Sequence, residues 1–225
     1  MKEVKRALLL IGGPRGLDGT SALLAEHLVE GFSRLSVATR REAVVNVVES
    51  EAQMEELLWG VDRADLVVLV SPVWMQGLTG PVTELFSEIV RRRGSVRSIR
   101  ARAFAAVLYS RMPEAEACDA AMAICRQFAR KADFSWRGGL RLPQSDVLDA
   151  APWFQSIRAS AVFAALRDSA RCWTAGRPAS GSAVRLMAKP LLPWPVYLVA
   201  QSVGLVREAR KNGVRELLGH RPLGR

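Results

Sequence analysis

The sequence predicts an α/β fold: a doubly wound, five-stranded parallel sheet in the order 2-1-3-4-5, followed by a basic, apolar C-terminal extension. Three observations carry this expectation. Strand-length apolar runs alternate with helix-period stretches from residue 4 to residue 173. The first, third and fourth runs are almost unbroken Val, Leu and Ala, the pattern of strands covered by helices on both faces. Turn-forming segments rich in Gly and Pro follow the first and third runs.

Strands are expected at "VKRALLLIG" (4–12), "EAVVNVVE" (42–49), "DLVVLVS" (65–71), "AFAAVLYS" (103–110) and "DFSWRGGLRL" (133–142). The intervening and following stretches 20–35, 52–64, 80–93, 115–132 and 153–173 carry apolar residues at helical spacing. Parallel strands joined by right-handed helical crossovers wind into an open sheet. In such sheets a ligand sits beyond the carboxyl ends of the strands, where the winding reverses. In the order 2-1-3-4-5 that crevice lies between the loops after strands one and three.

The first of these loops, "GGPRGLDGTS" (12–21), holds four glycines and ends on two hydroxyl residues at the start of a helix. Glycines turn the chain tightly, and Thr20 and Ser21 are expected to cap the helix. A helix N-terminus attracts anions through its N–H groups and dipole. The loop therefore reads as a phosphate cradle made by the backbone at Gly13 and Gly19 with Arg15, Thr20 and Ser21, or else as an ordinary capped turn. A nucleoside-triphosphate loop needs a Lys before its Ser/Thr, and Gly19 stands there. Dinucleotide binding needs the G-x-G-x-x-G spacing, which Gly12, Gly13, Gly16 and Gly19 do not make, although Glu49 could serve as the acid after strand two.

The second loop, "SPVWMQGLTG" (71–80), offers apolar and aromatic surface at Pro72, Val73, Trp74 and Met75. Gly77 and Gly80 would permit close main-chain approach, and the N–H groups from Trp74 to Gly77, Gln76 included, would meet the polar edge of a flat heterocycle. A partly buried loop with a packing Trp is the other reading.

Together, "GGPRGLDGTS" and "VDRADLVVLVSPVWMQGLTGPVTELF" resemble the two signature loops of the flavodoxin-like NAD(P)H-dependent FMN reductase and quinone reductase family, over residues 4–140. The resemblance implies FMN, reduced by NAD(P)H, with Arg15, Thr20 and Ser21 on its phosphate and Pro72, Val73, Trp74 and Met75 along its ring system. It demands no side-chain acid or base. A third loop, "YSRMPEAEA" (109–117), follows strand four, where relatives often carry a Gly-rich turn; Ser110 is expected at the cofactor, and Arg111 is expected either to face the flavin and stabilise its anionic reduced form or to be a solvated arginine. The chain departs from the family pattern at Gly13, where a serine is usual, at Trp74, where a tyrosine is usual, and at Met75-Gln76, where an aromatic-glycine pair is usual. Family relatives are commonly dimers, and a homodimer is expected on that ground.

Bulk composition agrees with a folded chain: 49% hydrophobic and 24% charged residues in 225. The formal charge of +10 concentrates at 91–102 and 207–225, without the interleaved aromatics or recognition helix of a nucleic-acid reader, so nucleic acid is not an expected partner. Cys118, Cys125 and Cys172 make neither a disulfide framework nor a metal or cluster site and fit a reducing cytoplasm. His27 and His220 lack partners at metal spacing, and no metal is expected. The N-terminal segment lacks the pattern of a signal peptide.

Domains are expected at 1–176 and 177–225, with "AGRPASGSAV" as linker. Beyond it, Pro190, Pro193 and Pro195 interrupt an apolar stretch too short to span a bilayer. Trp194 and Tyr197, followed by Arg207, Arg210 and Lys211, suit peripheral contact of 191–211 with an anionic membrane, or packing on the chain's own sheet or on a second copy. The expected function is an FMN-dependent oxidoreductase passing electrons to free flavin, a quinone or another small acceptor. The other reading is a cofactor-less module of the same fold that acts through its C-terminal extension on a membrane or protein partner.

Overall fold

The structure, a computed structural model, describes residues 4–94, 102–149 and 152–213. Five strands form one sheet: β1 Arg6–Ile11, β2 Ala38–Ala43, β3 Leu66–Pro72, β4 Arg102–Tyr109 and β5 Phe134–Leu142. Their order is β2-β1-β3-β4-β5 and every pairing is parallel, which is the flavodoxin-like arrangement. In β3 every residue is buried, and β1 and β4 are buried after their first residue, as their apolar sequences require.

The helices are α1 Thr20–Ser33, α2 Val44–Val48, α3 Glu51–Arg63, α4 Gly80–Gly94, α5 Asp119–Lys131, α6 Asp146–Asp149, α7 Pro152–Thr174, α8 Gly181–Met187 and α9 Trp194–Lys211, with a 3₁₀ turn at Ala115–Cys118. Alternate strand residues Leu8, Leu10, Val67, Leu69, Phe104, Ala106 and Leu108 face a core closed by α2, α3, α4 and α5. There Phe86 stacks on Phe128 with centroids 3.7 Å apart, and Phe104 meets both rings edge-on. The other set, including Leu9, Ile11, Val68 and Val70, is completely buried, and α1 packs closely on α7 through Gly31 and Ala170.

The second strand differs from expectation. Residues 38–43, "ATRREA", pair with β1, while Val44–Val48 of the expected strand form α2. A strand at the sheet edge needs few apolar residues, and β2 is largely exposed. The valines instead bury one helical face through Val44 and Val47. Glu49 consequently caps α2 and does not end a strand, which removes the acid that a dinucleotide site would use.

The first compact unit runs through Leu191, so the expected boundary at 176/177 falls inside it. Segment 177–191 is tied to the sheet and to α7. The Ala179 N–H donates to the Arg137 carbonyl at 3.2 Å, the Ser180 hydroxyl donates to Asp168 while accepting from the Ala183 N–H, and Met187 is fully buried. The second unit, from Leu192 onward, contains α9.

At the N-terminal end of β4, Arg92, Arg93 and Arg102 converge on Asp62 at 3.2, 3.6 and 3.7 Å. The rest of the 91–102 basic cluster, the end of the C-terminal one and His220 lie outside the described residues. His27 stacks on Phe163 at 3.5 Å and lies 3.2 Å from Glu30. All three cysteines are buried and free. Among the described residues there is no cluster of three or more metal-ligating side chains and no helix long and apolar enough to cross a membrane.

Candidate functional site

The loops after β1, β3 and β4 enclose an open cleft of about 1250 Å³ at the carboxyl end of the sheet, on the β1/β3 switch point. Main-chain and hydroxyl contacts hold the loops against one another. The Gly12 N–H donates to the Val70 carbonyl at 2.8 Å, Thr79 Oγ1 donates to the Gly12 carbonyl at 3.3 Å, and the Val73 N–H donates to the Tyr109 carbonyl at 2.8 Å. Gly12 is required here because a Cβ would stand 2.7 Å from both Ser71 Oγ and Val82 Cγ2.

The first loop ends at Gly19, the N-cap of α1, with φ +97°. Its N-cap is thus a glycine, with no side chain of its own to cap the helix, and no acidic residue lies in the first turn. The Ser21 hydroxyl, expected to cap the helix, instead lies 2.8 Å from the Tyr109 hydroxyl. The Arg15 guanidinium folds over Gly19, so close that a Cβ there would meet its Nε at 2.5 Å. A cation laid beside the positive end of a helix dipole adds positive potential at that point, which Asp18 on the same lining offsets in part. Gly13 is held to glycine from the opposite side: a Cβ would stand 2.7 Å from Ser21 Oγ and 3.5 Å from the Tyr109 hydroxyl. The serine usual in the resembled family has no room here.

The second loop turns tightly. Trp74 and Gly77 exchange both main-chain hydrogen bonds, at 3.0 and 2.8 Å, around Met75 (φ +47°) and Gln76 (φ +65°). Two left-handed residues between an exchanging pair make a type I′ turn, which is ordinarily filled by Asn and Gly. The expected use of the Trp74 and Gly77 N–H groups as ligand donors is therefore excluded, because both are consumed by the turn. Among the described residues nothing meets the N–H of Met75 or Gln76. Gly77 does not line the cleft, and Gly80 has open space around it. Trp74 is 63% exposed and Met75 fully so; both stand at the rim and neither plugs the cleft.

The third loop is fixed by Ser110, whose hydroxyl accepts from the Met112 N–H at 3.0 Å and whose carbonyl accepts from the Ser145 N–H at 2.9 Å. It carries the exposed Met112 together with Arg111, Glu114 and Glu116 along the cleft.

Eleven expected contacts line the cleft: Gly13, Arg15, Thr20, Ser21, Pro72, Val73, Trp74, Met75, Gln76, Ser110 and Arg111. Gly19 shapes it from behind, and Gly77 only closes the turn. Sequence reading missed Tyr109, Met112, Asp18, the two glutamates and Ser145. Tyr109 closes an apolar strand and carries no motif; only its place at the strand's carboxyl end could have signalled it.

No protein-family model matches the chain, and no curated protein matches it in sequence. Solved structures do. A structure described as flavone reductase superposes with TM-score 0.61 at 12% identity, covering 80% of this chain and 70% of that one. An FMN-dependent NADH-azoreductase from Bacillus anthracis, solved in complex with FMN, gives 0.54 at 10% identity over 75% and 99%. An NAD(P)H:quinone oxidoreductase from Methanothermobacter marburgensis gives 0.54 at 11% identity over 76% and 96%. These likenesses establish the fold.

Proposed function

We propose that the chain is an FMN-dependent oxidoreductase that takes reducing equivalents from NADH or NADPH and delivers them to a small acceptor such as free flavin or a quinone. The observation that carries this reading is the pairing, in one cleft, of an anion-seeking end and an aromatic, apolar end. At the first, α1 begins on a glycine N-cap with no acidic residue in its first turn, beside the Arg15 guanidinium. At the second, Trp74, Met75 and Met112 stand exposed. A phosphorylated flat heterocycle satisfies both ends, and the solved azoreductase of this fold holds FMN.

Backbone N–H groups of the first α1 turn and Arg15 would hold the phosphate. Pro72, Val73, Trp74 and Met75 would bound the rings, and the Met75 and Gln76 N–H groups would donate to their polar edge. Arg111, from the third loop, would favour negative charge developing on the rings. When bound, the flavin supplies the redox chemistry, while the protein supplies binding, orientation and electrostatics. No side chain here is assigned a proton-transfer role. The reading includes a homodimer, in which a second copy would shield the exposed rim.

Anaerobic mixing of the FMN-loaded protein with NADPH or NADH tests the activity. Bleaching of the flavin absorbance and its return on adding menadione are expected; absorbance unmoved by either nucleotide would refute an oxidoreductase of this kind.

A further inference from the structure

Among the described residues, fourteen large apolar side chains are exposed, and seven of them belong to α9: Trp194, Val196, Leu198, Val199, Val203, Leu205 and Val206. At about 3.6 residues per turn these seven fall on one broad arc of the helix, shared with Pro195, Ser202, Ala209 and, at its C-terminal end, Arg210. Gln201, Gly204, Arg207 and Lys211 fall on the remaining side. The helix opens on Trp194 and closes on Arg210 and Lys211. No helix among the described residues, this one included, is long and apolar enough to cross a membrane.

We propose that α9 is an interfacial helix that lies along the surface of an anionic lipid bilayer, its apolar arc among the acyl chains and its basic end at the headgroups. Two observations select lipid over a second copy of the chain. The first is the width of the arc. A helix-to-helix seam would cover Val196, Val199, Val203 and Val206, spaced three, four and three, and would leave Trp194, Leu198 and Leu205 in water. A bilayer surface takes the whole arc at once. The second is charge: Arg207, Arg210 and Lys211, with Glu208 among them, follow directly on the apolar residues in a chain of net charge +10, which complements anionic headgroups. A tryptophan at one end of such a helix suits the polar-apolar boundary. This inference does not depend on the flavin reading.

The test is sedimentation of the full chain with vesicles of phosphatidylcholine, pure or containing roughly a quarter phosphatidylglycerol. Greater pelleting with the anionic vesicles, weakened by added salt, is expected. V199E/V203E should abolish it. R207Q/R210Q/K211Q keeps every apolar residue of the arc and should lower partitioning onto anionic vesicles by about fivefold per residue, with little change on the neutral ones. Unchanged circular dichroism and melting of the first unit would verify that each variant is folded. Absence of pelleting with either vesicle, or equal pelleting with both, overturns the proposal. So does a drop in oligomeric mass for V199E/V203E without lipid, which would assign the arc to a second copy.

Discussion

The Tyr109 hydroxyl, at the last residue of β4, lies 2.8 Å from Ser21 Oγ in the first turn of α1, and both groups are buried. This contact couples the end of the fourth strand to the helix that faces the anion, across 88 residues of sequence.

Removing the phenolic hydroxyl therefore acts on stability and on the cleft together. Tyr109→Phe leaves the buried Ser21 hydroxyl without that partner and should destabilise the fold by about 1–2 kcal/mol, read by urea denaturation. FMN affinity should fall with it, because Ser21 is freed to rotate beneath the first turn. A variant of unchanged stability would show that the contact contributes nothing.

Gly13→Ser brings the residue usual in the resembled family into a space already filled by Ser21 and Tyr109. Loss of FMN binding and a lowered melting temperature are expected. In Gly13→Ser/Ser21→Ala the 2.7 Å conflict with Ser21 Oγ disappears, while the approach to Ser21 Cβ at 3.1 Å remains. Partial recovery of melting temperature in the double variant is the measurable consequence.

The type I′ turn carries two side chains in left-handed backbone, each costing about 1 kcal/mol. Met75→Asn/Gln76→Gly should consequently raise stability by about 1–2 kcal/mol while leaving the fold unchanged. If the chain uses Met75 to bound the rings, flavin affinity falls in the same variant. Denaturant melts and flavin titration on one preparation read both.

Burial pushes the thiols of Cys118 and Cys125 up to about 12, from an ordinary value of 9. The neutral thiol is the form that the fold accepts, so the stability linked to these groups is fully present below pH 9. It is lost as pH rises from 9 through 12, where the unfolded chain gives up protons that the native chain retains. Native protein should resist a thiol-directed reagent at pH 8 and react once unfolded, and Cys118→Ala/Cys125→Ala should flatten the alkaline decline of the melting temperature. Rapid modification of either thiol in the native state would contradict this burial.

Much of the fold was legible because burial on both faces writes itself into sequence. β1, β3 and β4 have no solvent side and so are almost wholly apolar, apart from Arg6 and Arg102 at their starts and Ser71 near the end of β3. β2 failed for the complementary reason. As an edge strand it reads as polar "ATRREA", while the neighbouring valines mimic a strand and in fact bury a single helical turn. The cleft was legible where glycines and loop motifs mark it, as at Gly13, Arg15 and 72–76. Hydrogen-bond bookkeeping was not: nothing in "SPVWMQG" announces that Trp74 and Gly77 satisfy each other, since Met-Gln is a poor type I′ pair. Tyr109 was invisible because its role depends on a partner 88 residues away.

Asp18 lines the same end of the cleft as Arg15 and opposes an anion there. Asp18→Asn should tighten FMN binding by roughly twofold to fivefold at low salt, with the gain shrinking as salt rises, since both residues are exposed. A weakened affinity would place the anion elsewhere.

The most direct test of the account is thermal melting of the purified chain with FMN, with riboflavin and with neither, in the native protein and in Arg15→Ala. A ligand bound only by the native state raises the melting temperature by mass action. FMN should raise it saturably, riboflavin should do so much less, and Arg15→Ala should lose most of the difference between the two. A melting temperature indifferent to FMN, or raised equally by riboflavin, would contradict the grip on phosphate from which the functional reading follows.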